Sequence, residues 1–328
     1  MQDIKNLKES LRKQRNNFYI QEINIRTTFA KNKTSMKSAP LFSSFLLVIT
    51  AALWGFSFVA QRAGMEHIGP YLFNGIRFTL GSLCLWPLLL FFQKKRRKKN
   101  TPQKNILASG IILGIVLLTA SSLQQIGMQY TNATNGGFIT SLYVVIVPII
   151  LLFFGEKIPF RVIAGAILAL IGLYFISIQD HFQLSEGDTL VLWSALFWAI
   201  HVILLGKFAR KDNIILLSII QFTTTAIASL IIALLKEEIQ LEAIQNAAIP
   251  IIYGGVFSVG MGYTLQALAQ KKVRAETAAI ILSFESAFAM LGGWLILSEP
   301  ISMQSLFGAS LMLIGILISQ IKSIKTTS

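Results

Sequence analysis

Runs of about twenty mostly apolar residues succeed one another along this chain, separated by short polar or charged stretches. Five lie near Leu41–Ala60, Tyr71–Phe92, Asn105–Gln125, Ala133–Phe154 and Pro159–Ile178. Five more lie near Thr189–Gly206, Asn213–Leu235, Ala247–Ala269, Ala275–Leu297 and Ser302–Ile321. Each is long enough, as a helix, to cross the roughly 30 Å of bilayer hydrocarbon. Only a helix satisfies its own backbone groups there, so ten transmembrane helices are predicted. The polar positions inside the runs keep a helical period. Thr50, Trp54, Ser57 and Gln61 fall at i, i+4, i+7 and i+11, on one face of span one.

The pattern also repeats. Glu156–Gly172 aligns without gaps on Glu299–Gly315, with 8 identities in 17 positions, where a chain this apolar gives about two by chance. Gly165-Ala166 meets Gly308-Ala309, and Leu170-Ile171-Gly172 meets Leu313-Ile314-Gly315. Upstream, Ala51 and Trp54 meet Ala195 and Trp198, and Arg77-Phe78-Thr79 meets Gln221-Phe222-Thr223. Two five-span halves follow, residues 41–178 and 189–321, flanked by a basic polar tail (1–40) and a short tail (322–328). Five is odd, so the second half enters the membrane inverted relative to the first.

Composition and charge fit that reading. Apolar residues make up 54% of the chain and charged residues 13%, with a mean hydropathy of +0.63. A soluble domain carries about a quarter charged residues. With the first tail cytoplasmic, 26 of the 29 Lys and Arg lie on the inner side. Only Arg62 and Lys236 lie outside, and Arg77 lies within span two. This is the positive-inside signature, and a shift of one span destroys it. Both termini are therefore placed in the cytoplasm. The net charge of +14 is an orientation signal and needs no nucleic acid, with the Lys94–Lys99 cluster set against anionic lipid heads. The first forty residues lack the apolar core of a cleavable signal and read as a disordered tail, with Met36 an alternative start.

Several motifs recur in order and in both halves. They are Trp54-Gly55, Arg77-Phe78, and the turns Gly155-Glu156 and Ser298-Glu299, each followed by a Gly-x6-Gly helix. In these the chain resembles the drug/metabolite transporter superfamily, specifically EamA-type members with two five-helix repeats, over about Leu41 to Ile321. Two departures stand out. Span nine reads Glu285-Ser286 where the family commonly shows Glu-Pro, and Gln221 replaces the arginine equivalent to Arg77. The resemblance implies an all-α secondary transporter of small organic metabolites, often an exporter. Inverted repeats of this kind rock around a midplane site.

Away from the ends of the spans, the Asp, Glu, Lys, Arg or His residues are Arg77, His201 and Glu285. A charge at membrane depth costs about 2.5–3.5 kcal/mol on insertion scales and marks a functional interior by default. Glu285, among Ala287, Ala289, Gly292 and Gly293, reads as a proton carrier or amine anchor, or as a protonated packing residue. Arg77 either binds a substrate carboxylate bidentately or snorkels and ties down helix ends. Trp54 and Ser57, with Trp198 and His201 on the equivalent face of span six, suggest opposite walls of one pathway; the alternative is helix packing. Gln124 and Gln266 occupy matching places in spans three and eight, with Tyr263 one turn before the latter; buried amides bind ligand or glue helices. Gly136-Gly137 in span four and Gly254-Gly255, Gly260 and Gly262 in span eight offer bending points.

Three histidines and a single cysteine, Cys84, give no metal spacing. No His-Glu-x-x-His motif and no aspartate lies in the spans, which argues against an intramembrane enzyme. An inverted tandem repeat argues against a receptor. The competing transport reading is a carrier of sugar-nucleotide or lipid-linked substrates, but Arg77 alone would meet their charge. The expected partners are a small substrate, the lipid of an inner or plasma membrane, and protons as coupling ion, in a monomer or homodimer. No cofactor is expected.

Overall fold

The structure, a computed structural model, describes residues 41–96, 105–177 and 185–321. The expectations for the tail at 1–40, for Arg97–Lys99, for most of the segment between spans five and six, and for residues 322–328 lie outside the described residues. Ser43–Ser328 forms one compact unit; of the preceding unit, Met1–Phe42, only Leu41 and Phe42 are described.

The described residues form helices joined by short turns, with no strand among them. The helices are α1 (Leu41–Gly64), α2 (Pro70–Arg96), α3 (Ile106–Gly127), α4 (Ala133–Phe153) and α5 (Phe160–Ser177). They continue as α6 (Glu186–Phe208), α7 (Ile214–Lys236), α8 (Ala248–Gln270), α9 (Ala275–Leu297) and α10 (Met303–Gln320), with a short helix at Leu241–Asn246 before α8. Nine of them are long and apolar enough to cross a membrane; in α5 a shorter apolar helix, Phe160–Ile176, is described. Polarity is distributed as lipid demands. Large apolar side chains such as Leu107, Ile115, Phe153, Trp193 and Trp294 are exposed, while Gln125, Ser141, Gln221, Gln266 and Glu285 are buried.

Helices α5 and α10 pack through the Gly-x6-Gly motifs. Gly165 lies against the Gly315 carbonyl and Gly172 against that of Gly308, so the repeated glycines meet crosswise. A Cβ on Gly165 would sit 2.6 Å from the Gly315 oxygen, closer than a backbone contact allows. Gly165→Leu is therefore expected to destabilise the bundle by about 1–3 kcal/mol, as overpacking does. Thermal melts followed by size-exclusion chromatography check this, and an unchanged apparent Tm would contradict it.

Helices α4 and α9 run antiparallel and both break near their middles. The α-helical pattern of α4 is interrupted at Leu142, and that of α9 at Ser283–Phe284. The breaks face each other. Ser141 Oγ donates to the Ser283 carbonyl (3.1 Å), and Ser286 Oγ donates to the same oxygen (3.0 Å). Hydroxyl groups thus supply partners at an interruption buried in protein, the condition under which broken helices persist at membrane depth. Helix α8 is irregular too. Tyr253–Tyr263, which holds the glycines expected to loosen it, is a π-helix, a form that concentrates at functional sites.

The two ends of the α4–α9 pair are held differently. At one end the Glu299 carboxylate accepts the Ala133 N–H (3.1 Å), the Thr134 N–H (3.3 Å) and the Thr134 hydroxyl, closing over the N-terminus of α4. Glu156, its counterpart in the repeat, lies at the other end. It is 56% exposed, and among the described residues its carboxylate meets Arg274, at 3.5 Å. Both glutamates follow a residue in the left-handed region, Gly155 at φ 78° and Ser298 at φ 57°, so the two turns share one backbone shape.

Candidate functional site

A cavity lies at the junction of α1, α2, α3, α4, α6, α8 and α9. Helix α1 contributes Trp54, Ser57, Phe58 and Gln61, so most of the polar-aromatic stripe of span one faces inward. Thr50, at the top of that stripe, instead donates to the Leu46 carbonyl (2.9 Å). Helix α6 adds Trp198 and Val202; α8 adds Ser258, Tyr263 and Gln266. Arg77, Gln124, Thr140, Tyr143 and Glu285 complete the wall.

Aromatic rings build one side. Tyr263 lies 4.8 Å from Trp54 and 6.0 Å from Trp198, centroid to centroid, and stacks on the latter at 26°. Trp54 and Trp198, equivalent in the two halves, approach to 6.5 Å. The indole of Trp54 is anchored, its Nε1 donating to the Ser258 carbonyl (3.1 Å) in the π-helical segment. Gly262 makes that approach possible: a Cβ there would lie 2.5 Å from Trp54 Nε1. Trp198 Nε1 is buried without a hydrogen-bond partner.

The charged groups stand apart in their bonding. Arg77 is 3% exposed, so it does not snorkel, and its guanidinium carbon lies 5.4 Å from the Phe73 ring and 5.1 Å from the Phe78 ring. Such cation–π contacts hold a guanidinium in place without neutralising it. Among the described residues no carboxylate pairs with Arg77, and its Nε has no partner. Glu285 opens the second part of α9 and accepts a hydrogen bond from Tyr143 Oη (2.9 Å), which opens the second part of α4. The break in each helix thus delivers one member of this pair.

The amides differ from one another. Gln124 Nε2 donates to Thr140 Oγ1 (2.8 Å), tying α3 to α4. Gln266 is fully buried, and neither its nitrogen nor its oxygen has a protein partner. It therefore glues no helices together. His201 is the expected residue that the cavity wall does not include. Its Nε2 meets Gln221 Oε1 at 3.0 Å, and its ring packs edge-on against Trp198 and Tyr263. Gln221, in the place of a second arginine, gives its oxygen to that contact, while its Nε2 is buried without a partner. Glu156 and Glu299 lie at the ends of the bundle, away from the cavity wall.

Tyr143, Thr140 and Ser258 were not singled out in the sequence. The first has a signal in hindsight: it stands 142 residues before Glu285, and the repeat offset in α4 and α9 is 142, not 143.

Comparison with known proteins supplies the family. The model of the EamA-like transporter family matches residues 41–178 and again 185–320. The chain belongs to the EamA-like transporter family. A relative from Archaeoglobus fulgidus, named an uncharacterized transporter, is 29% identical over 283 residues, covering 86% of this chain and 87% of its own. The uncharacterized transporter YoaV of Bacillus subtilis is 26% identical, over 82% of this chain and 94% of its own. A solved crystal structure at 16% identity matches with a TM-score of 0.69, over 84% of this chain and 98% of that one, and shows the fold alone. This is a multi-pass membrane protein of a transporter family, and the family and its named relatives are transporters, not enzymes.

Proposed function

We propose that this chain is a secondary transporter that exports small organic metabolites across the cell membrane by alternating access. In this reading ten helices form two inverted five-helix repeats, with both termini in the cytoplasm. The observation that carries it is the pair of broken antiparallel helices, α4 and α9, whose interruptions meet beside the cavity at Ser141–Ser283 and Tyr143–Glu285. Discontinuous helices crossing at mid-depth, one from each repeat, are how transporters place a site that both sides can reach. By the charge count, the Glu299 end faces outward and the Arg274 end faces the cytoplasm.

The bonding at the two ends then supports a state closed to the outside. On that side Glu299 caps α4, Thr131 Oγ1 donates to Asp188 (2.7 Å), and Glu237 accepts the Tyr71 and Leu72 N–H groups (2.8 Å each). Glu285 is proposed as the coupling residue, taking a proton from one side and releasing it to the other as the halves rock. Among the described residues Arg77 is the one cation lining the cavity, which favours a small substrate over a nucleotide-linked or lipid-linked one carrying several charges.

Orientation is tested by cysteine accessibility in a Cys84→Ser background. An impermeant thiol reagent applied outside intact cells is expected to label Ser185→Cys and to miss Lys98→Cys. The opposite pattern overturns the topology and with it the assignment of the closed end.

A further inference from the structure

Resting on the transporter reading, we infer that the cavity recognises a flat nitrogen heterocycle presenting an N–H beside a C=O, as a nucleobase or lactam does. Three features of the wall carry this. Gln266 is fully buried in it with both amide atoms unpartnered. Leaving such groups unpaired in a buried wall is costly, so a ligand that pairs with them completes the site. A primary amide offers a donor and an acceptor side by side, and its complement is an adjacent acceptor and donor. That is how glutamine and asparagine read a base edge.

The second feature is the aromatic wall. Trp54, Trp198 and Tyr263 cluster with their ring centroids 4.8–6.5 Å apart and line the cavity, an aromatic wall against which a planar ring can pack. The third is the surplus of donors. Trp198 Nε1 and Arg77 Nε are both buried and unpartnered, and among the described residues no carboxylate forms an ion pair with the guanidinium. These suit further carbonyl or anionic oxygens on the ring. A saturated chain would leave Gln266, Trp198 and Arg77 all unsatisfied, and an aliphatic ammonium could pair with the Gln266 oxygen but not with the donors.

Binding to purified protein in nanodiscs tests this, with uracil as the probe and 1,3-dimethyluracil, whose ring N–H groups are blocked, as its control. Quenching of tryptophan fluorescence reads binding. Uracil is expected to bind at least about tenfold tighter than the dimethyl compound, and Gln266→Leu is expected to erase that preference. Gln266→Met, which keeps about the same size and has neither amide group, serves if the leucine variant does not fold, and should erase the preference as well. The inference is overturned if uracil and dimethyluracil bind alike, if the preference survives in the variants, or if uracil does not bind at all. In each of these cases a parallel efflux panel of amino acids and amines in cells overexpressing the protein judges the transporter reading separately. Efflux of any of them preserves transport while the heterocycle falls.

Discussion

Glu285→Gln is expected to keep substrate exchange while abolishing the dependence of net transport on external pH. The substitution preserves size and can still accept the hydrogen bond from Tyr143 Oη, so the meeting point of the two broken helices survives. What it removes is titration. In an exporter driven by proton influx, lowering the external pH speeds net efflux in the wild type, because the coupling carboxyl is reloaded from outside more often. With an amide at that place no proton rides back, and the pH profile flattens. Exchange of labelled for unlabelled substrate needs no net proton movement and continues. Measured in proteoliposomes with equal protein incorporation, a variant whose net efflux keeps the wild-type pH response would make Glu285 a packing residue only.

Glu299→Gln is expected to open the proposed outer side. The carboxylate holds two backbone N–H groups and a hydroxyl at the start of α4, where the helix end carries partial positive charge. Hydrogen bonds to a charged group contribute about 1.5–3 kcal/mol each, and the amide keeps only one acceptor oxygen. A loss of about 1.4 kcal/mol from the closed state shifts its population about tenfold relative to the open one. A cysteine placed at cavity-lining Thr140 in the Cys84→Ser background reads this as reactivity toward an impermeant reagent added outside. The rate is expected to rise at least about tenfold in Glu299→Gln. It is expected to stay unchanged in Glu156→Gln, because among the described residues the Glu156 carboxylate pairs with Arg274, at 3.5 Å between exposed groups, and exposed pairs contribute little. Equal rates in Glu299→Gln and wild type would remove Glu299 as a latch.

The family and the helical runs were legible in the sequence because lipid imposes them: length, apolarity and flanking charge are local properties. The inward face of span one was legible for a similar reason. Trp54, Ser57 and Gln61 share one side of a helix by spacing alone, and the repeat pointed to Trp198. The bonds of Glu299 were not legible, since the motif announced the residue while its partners, Ala133 and Thr134, lie over 160 positions earlier. Tyr143 was hidden by the change of repeat offset within α4 and α9. His201 looked like a pathway residue because it stands where Ser57 stands in the other half. Its side chain instead turns to Gln221, the residue that replaces the second arginine. The glycines of α8 signalled irregularity without saying that it would take the form of an eleven-residue π-helix.

In the proposed mechanism the cavity opens to one side at a time through movement at the Glu299 end. Thr134→Cys and Glu299→Cys in the Cys84→Ser background place two thiols where the wild-type side chains touch. Bridging them with a short, reductively cleavable cross-linker should hold the closed end shut. Substrate exchange in proteoliposomes is expected to fall to background on cross-linking and to return to the rate of the unbridged variant after reduction. Exchange that continues undiminished in fully cross-linked protein would contradict the account.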